Sequence, residues 1–248
     1  MRTPPAPPPR SAVVVALLLA GAPARPAGPA ARAAPAGVTR LEREHREHRL
    51  AVRPDLATRA GDRRGDARLE PVTQASLAAE AGWLRDFAAR LEAVPRDGLA
   101  PAARATLDSL AAATARARAE IVVERRWERD PAAYLELVED AVRALLPGRG
   151  RSTCLRARAV ARRLARVPDV LRAARVNLRE AAPERVAGAL PGYERTLRLY
   201  RAERGQLGAR CREPRTQADL AEADTLAVRA VEDFLRHLRE DLPPAARP

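Results

Sequence analysis

An all-α fold, an irregular antiparallel bundle of about seven to eight helices, is what this chain predicts. Apolar residues recur every three to four positions almost throughout, no stretch alternates with the period of a strand, and short Pro/Gly breaks separate the helical stretches. A chain of 248 residues is long enough to bury one substantial core. Its net charge of +13 is carried entirely by arginine, since lysine does not occur, and isoleucine (Ile121) and asparagine (Asn177) each occur once. That pattern, with abundant Ala, Gly and Pro, is the imprint of a GC-rich genome, so part of the basicity is codon bias.

The first 37 residues are not read as fold. Arg2 and Arg10 precede the apolar run from Ser11 to Ala22, and Ala22-Pro23-Ala24 offers a small-residue cleavage site, so residues 1–24 read as a secretory signal peptide. The run is too short for a comfortable membrane span, and the product is expected to be exported, periplasmic or secreted, without a transmembrane segment. Cleavage after Ala24 removes two arginines and leaves a net charge of +11. Residues 25–37 read as an Ala/Pro/Gly-rich leader, and 38–248 as the helical domain.

Within that domain, Pro54 to Asp66 is neither a helical stripe nor a plain linker. Pro54 restricts the backbone, Gly61 and Gly65 permit turns, and three aspartates can cap the adjoining segments. Thr73 caps a helix whose face is Leu77, Ala81, Leu84, Ala88, Leu91 and Val94, widened by Trp83 and Phe87 and ended near Pro95. Pro101 opens a second, Ala-rich arm that runs to Trp127, and the two make a hairpin. Asp130-Pro131 repeats the cap-and-proline start for Tyr134, Val138, Ala141, Val142 and Leu145, with Pro147-Gly148 as the stop. Leu155, Val160, Leu164 and Val167 lead to Pro168, where the chain kinks or restarts before Leu171, Ala174 and Leu178. Pro183 and Pro191-Gly192 punctuate a further pair of segments bearing Tyr193, Leu197 and Tyr200. Thr216 to Asp219 reads as a variant capping box for the last helix, whose stripe is Leu220, Ala227, Val231, Phe234, Leu238 and Leu242 up to Pro243-Pro244.

Candidate chemistry is sparse. His45 and His48 are three apart on a helix, which puts them on one face, but zinc-peptidase helices space their histidines four apart, and Arg43, Arg46 and Arg49 oppose a cation. They read as the polar part of a packing face. His237 has Asp233 and Glu240 in reach along its helix, which suits surface pairing. The pairs Glu139/Asp140 and Glu232/Asp233 are adjacent, so they diverge rather than converge on a substrate. Cys154 and Cys211 either pair as a disulfide in an oxidising compartment or remain two thiols; both readings stand on sequence alone. Between Arg149 and Arg179 ten arginines face a single acid, Asp169. Arg156, Arg162, Arg163, Arg166, Arg172, Arg175 and Arg179 are therefore the candidate surface for an anionic ligand or envelope lipid. No aromatic accompanies them for base stacking, so nucleic acid is not expected as a partner.

Three pieces carry a family resemblance. Pro54-x-x-Ala57-Thr58-x-x-Gly61 with its later aspartate and Leu69, the Arg166–Leu171 break followed by Asn177-Leu178, and Ala230–Leu235 leading to Asp241-Leu242-Pro243 resemble the N-terminal part of the bacterial family called domain of unknown function 885. The resemblance implies an exported, zinc-peptidase-like protein whose His-Glu-x-x-His helix lies downstream, and no position here matches that helix. It implies a scaffold without catalytic residues, metal or cofactor of its own, partnered by the missing C-terminal body. The alternative is a free-standing module that holds an anionic ligand through its arginine-rich helices.

Overall fold

The computed structural model describes residues 36–146, 150 and 152–242. The segments read as signal peptide and leader lie outside these residues up to 35, as do Pro147-Gly148 and Pro243-Pro244. The described residues form eight helices of eleven residues or more, two shorter helical segments and one 3₁₀ turn, with no strand. In order they are α1 (Ala36–Val52), α2 (Pro54–Arg59), the 3₁₀ turn (Arg63–Gly65), α3 (Gln74–Glu92), α4 (Pro101–Val122), α5 (Arg126–Arg129), α6 (Pro131–Arg143), α7 (Thr153–Leu164), α8 (Val167–Asn177), α9 (Pro183–Arg210) and α10 (Pro214–Glu240).

Two hydrophobic clusters organise them. The larger one is built by α6 to α10, with α10 packed on α7, α8 and α9, and α6 packed on α7, α8 and α9. Its centre holds Tyr134, Tyr193 and Tyr200, all buried. Each phenol donates to a backbone carbonyl: Tyr134 to Trp127 at 2.6 Å, Tyr193 to Pro131 at 2.8 Å, and Tyr200 to Val138. The donors on α9 thus fasten α6 while their rings fill the core, and none of the three phenolic hydrogens is left unpaired. The smaller cluster joins Val38 and Leu41 of α1 to Phe87 and Leu91 of α3 and to Ala103, Leu107 and Leu110 of α4.

Caps fall where side-chain chemistry places them. The Thr73 hydroxyl accepts from the Ser76 amide, Asp130 from the Ala132 amide and Ser152 from the Leu155 amide. Pro101 and Pro131 open α4 and α6. Four expectations are overturned. The Ala-rich arm stops at Val122 rather than Trp127, because Arg125 takes a left-handed backbone (φ 51°) braced by ion pairs to Glu128 and, at 2.7 Å, to Glu180. Pro191 lies inside one continuous 28-residue helix, where the buried neighbours Ala189, Gly192, Tyr193 and Thr196 outweigh the lost backbone bond. The last helix begins at Pro214, so Thr216 sits in its first turn and donates to Glu213 at 2.8 Å instead of capping. Leu155, assigned to a packing face, is exposed, and its place in the core is taken by Ala157 and Val160.

The Pro54–Asp66 segment is a specified turn with a purpose. Gly61 (φ 87°) ends α2, its amide bonding Thr58 O while the Asp62 amide reaches back to Ala57 O, a Schellman closure that favours glycine. Gly65 is needed for close approach: a Cβ there would stand 2.6 Å from the Pro54 carbonyl oxygen. The loop closes around the guanidinium of Arg163 on α7, which is wholly buried. Its nitrogens donate to Thr58 Oγ1 (2.6 Å), Gly65 O (2.9 Å), Pro54 O (3.2 Å) and Asp140 O (2.9 Å). Beside it, Arg59 of α2 pairs with Asp140 of α6 at 2.5 Å. Cys154 at the start of α7 is joined to Cys211 at the end of α9, with Cα atoms 4.9 Å apart and a sequence separation of 57.

Arg163→Met is expected to destabilise the fold by at least about 3 kcal/mol, because it leaves several buried acceptors unpaired, and Gly65→Ala should lower stability in the same urea titration. Reducing the disulfide should cost about 4 kcal/mol on the chain-entropy account, read as a fall in the denaturation midpoint when dithiothreitol is present.

Candidate functional site

A cleft of about 610 Å³ opens between the two hydrophobic clusters. Helical periodicity builds its walls. His45, His48, Arg49 and Val52 come from one face of α1; Ser76, Leu77, Glu80, Trp83 and Leu84 from α3; and Ala113, Arg116, Ala117, Glu120 and Ile121 from α4. Arg126 and Trp127 of α5, with Ala133, Glu136 and Leu137 of α6, close the far side. The volume exists because α4 presents Ala113 and Ala117, and α3 presents Ala79, where larger side chains would fill the gap. Both tryptophans of the chain line it.

The charged groups inside come mostly as pairs. Arg53, at the α1–α2 joint, places Nε 2.9 Å from Glu70 Oε2 and 3.1 Å from Asp55 Oδ1, so a single cation serves two carboxylates. Glu70 lies just beyond the turn segment and keeps only 17% of its side chain exposed. Burial pushes its carboxyl up to about 7, against the pull of Arg53 and with a further push from Asp55 and Glu80. On the far wall Arg126 pairs with Glu136 at 2.5 Å. Arg49 and Arg116 stand exposed at the rim.

The histidines of α1 belong to this cleft. The His48 ring lies 3.5 Å from that of Trp83 and nearly parallel to it, and its Nε2 is 2.7 Å from Glu80 Oε2. Trp83 stacks on Phe87, on which buried His45 also stacks at 5.5 Å. Burial, reinforced by Arg49 and His48, pushes the His45 pKa below its ordinary value. Both imidazoles are stacked and His48 Nε2 is held by Glu80, and among the described residues neither histidine belongs to a set of three donor groups close enough to share an ion. Among the described residues, the three donor groups near enough to share an ion are Cys154, Cys211 and Glu213. There both sulfurs are in the disulfide, and Glu213 is engaged by Arg158 and Thr216.

Of the seven arginines predicted as an anion-binding surface, burial removes Arg163, and five are exposed. Arg163 is the buried ion described above and faces no solvent. Arg156 is half-buried and donates to Leu146 O. Arg166 and Arg172 share Asp169 at 3.8 and 2.8 Å, Arg175 donates to Asp233 O at 2.7 Å, and Arg179 bonds Val176 O within its own helix end. Arg162 is exposed. His237 pairs with Asp241 at 2.9 Å, not with Asp233, which is held by Arg236. The adjacent carboxylates diverge, Glu139 toward Arg143 and Asp140 toward Arg59, Glu232 toward Arg201 and Asp233 toward Arg236.

Sequence reasoning missed Arg53, Glu70, Glu80, Arg126 and Glu136. Its available signal was position, since Arg53 and Glu70 flank the turn segment whose glycines bring its ends together.

The Glu70 pKa carries a stability signature. Below pH 4.5 the carboxyl is protonated folded or unfolded, and above about 7 the folded chain must bury an ion that water solvates in the unfolded chain. Stability should therefore fall as pH rises between those values, by up to about 3 kcal/mol, and urea titrations of Glu70→Gln should lack that component.

Residues 54–248 match the family model described as a bacterial protein of unknown function, DUF885. No curated protein matches the chain. Among solved structures it is similar to a candidate lipoprotein of unknown function from Shewanella oneidensis, with a TM-score of 0.72 and 15% identity over 83% of this chain. This chain spans 37% of that protein, and at such identity the likeness concerns the fold.

Proposed function

The chain belongs to the bacterial DUF885 family, and from that membership we propose that it is an exported helical scaffold whose cleft seats a ligand, with any hydrolysis supplied by residues outside this chain. One observation carries the reading: a ligand-sized cavity with apolar walls and ion-paired charges has no assembled metal-ligand set or activated nucleophile among the described residues. The hydroxyl of Ser76, on the cleft wall, is spent on Pro71 O and Thr73 O. The His48–Glu80 pair faces an indole rather than a serine or cysteine.

Export is supported by the disulfide, a bond that persists in oxidising compartments. The lipoprotein description of the structural neighbour and the absence, among the described residues, of a helix long and apolar enough to span a membrane are compatible with it. In a longer family member the cleft would form one wall of the substrate path, beside the His-Glu-x-x-His ligands that the resemblance implies.

The purified chain should contain substoichiometric zinc by elemental analysis and should not cleave a mixed peptide library. Stoichiometric zinc together with chelator-sensitive cleavage would overturn the proposal.

A further inference from the structure

The cleft is uneven in charge, and that unevenness selects a ligand class. On the cleft wall Glu70 shares Arg53 with Asp55, which is buried outside the lining, leaving one negative charge over. Glu80 adds another, faced by His48. Arg126 and Glu136 cancel on the far wall, and Glu120 of α4 adds a carboxylate four residues on from Arg116. The cations Arg49 and Arg116 are exposed to water, where a counter-charge gains little, whereas Glu70 and Glu80 keep only 17% and 22% of their side chains exposed, so an ion beside them is felt more strongly. Among the described residues Glu70 has Arg53 as its ion-pair partner, and its part-exposed carboxylate lines the cleft, where it can accept from a further donor. Above it Leu77, Ile121, Trp127 and Leu137 offer an apolar lining.

Resting on the reading of the cleft as a ligand seat, we infer that it takes a molecule bearing a protonated amine on an apolar body, the ammonium donating to Glu70 and the body lying along Trp127, Leu77 and Ile121. An ammonium supplies the missing charge and a further donor together. A carboxylate would meet the excess negative charge beside Glu70, and an alcohol would supply a donor but no charge.

Hexylammonium, hexanoate and hexan-1-ol serve as probes of one shape and three charges. Each is titrated into the full chain at about pH 8, where the amine is cationic and Glu70 ionised. Indole fluorescence reports occupancy, because both tryptophans line the cleft, and calorimetry gives the affinity. Hexylammonium should bind most tightly. Glu70→Gln should weaken it about tenfold, and Glu80→Gln about threefold; Arg116→Ala should leave it within about twofold. If Glu70→Gln fails to fold by circular dichroism, the Glu80→Gln loss decides. Equal or tighter binding of hexanoate or hexanol, or an unchanged affinity in the glutamine variants, overturns the amine assignment while leaving the cleft as a ligand seat. Failure of all three probes to bind overturns both.

Discussion

A single buried cation, Arg163, ties the turn segment to the helical body. Taking a guanidinium out of water costs several kcal/mol, and the geometry offsets that cost with a ring of oxygens from Pro54, Thr58, Gly65 and Asp140. Those acceptors lie on α2, the 3₁₀ turn and α6, while the donor lies on α7, so one side chain links four stretches of chain. Guanidinium suits the place better than ammonium would, because its planar fork reaches several carbonyls at once and stays charged. The ends of the same loop hold Arg53 and Glu70, so that part of the cleft wall inherits its position from this joint.

Much of the fold was legible because its signals are local. Thr73, Asp130 and the N-terminal prolines act on amides within one turn, and the apolar stripes of α6 and α10 face the core as spaced. The misreadings share a cause, which is tertiary packing overriding local chemistry. Pro191 is carried through α9 because Tyr193 and Tyr200, further along the same helix, are pinned to α6 and its first residue. Arg125 accepts a strained backbone because glutamates from two segments hold it, and Thr216 is drawn into a helix that proline starts two residues earlier.

The site was much less legible. A run of arginines looks like a surface in one dimension, yet three dimensions send Arg163 inward and give Asp169 to two of its neighbours. Glu70 and Glu80 carry no motif, and what distinguishes them is burial beside too few cations, a property of assembled helices. The histidines were placed correctly as packing groups, but the stack of His48, Trp83 and Phe87 that they join depends on the pairing of α1 with α3. Family resemblance located the turn segment without revealing that it wraps an ion.

Alanine at positions 79, 113 and 117 keeps the two layers from meeting across the cleft. The opening is thus held by what is missing rather than by a rigid frame, and its width can change by one methyl group at a time. A leucine at either α4 position would narrow the entrance without touching Arg163 or the tyrosine anchors. Molecular selectivity in this architecture is consequently adjustable in small steps, independently of the joints that keep the chain folded.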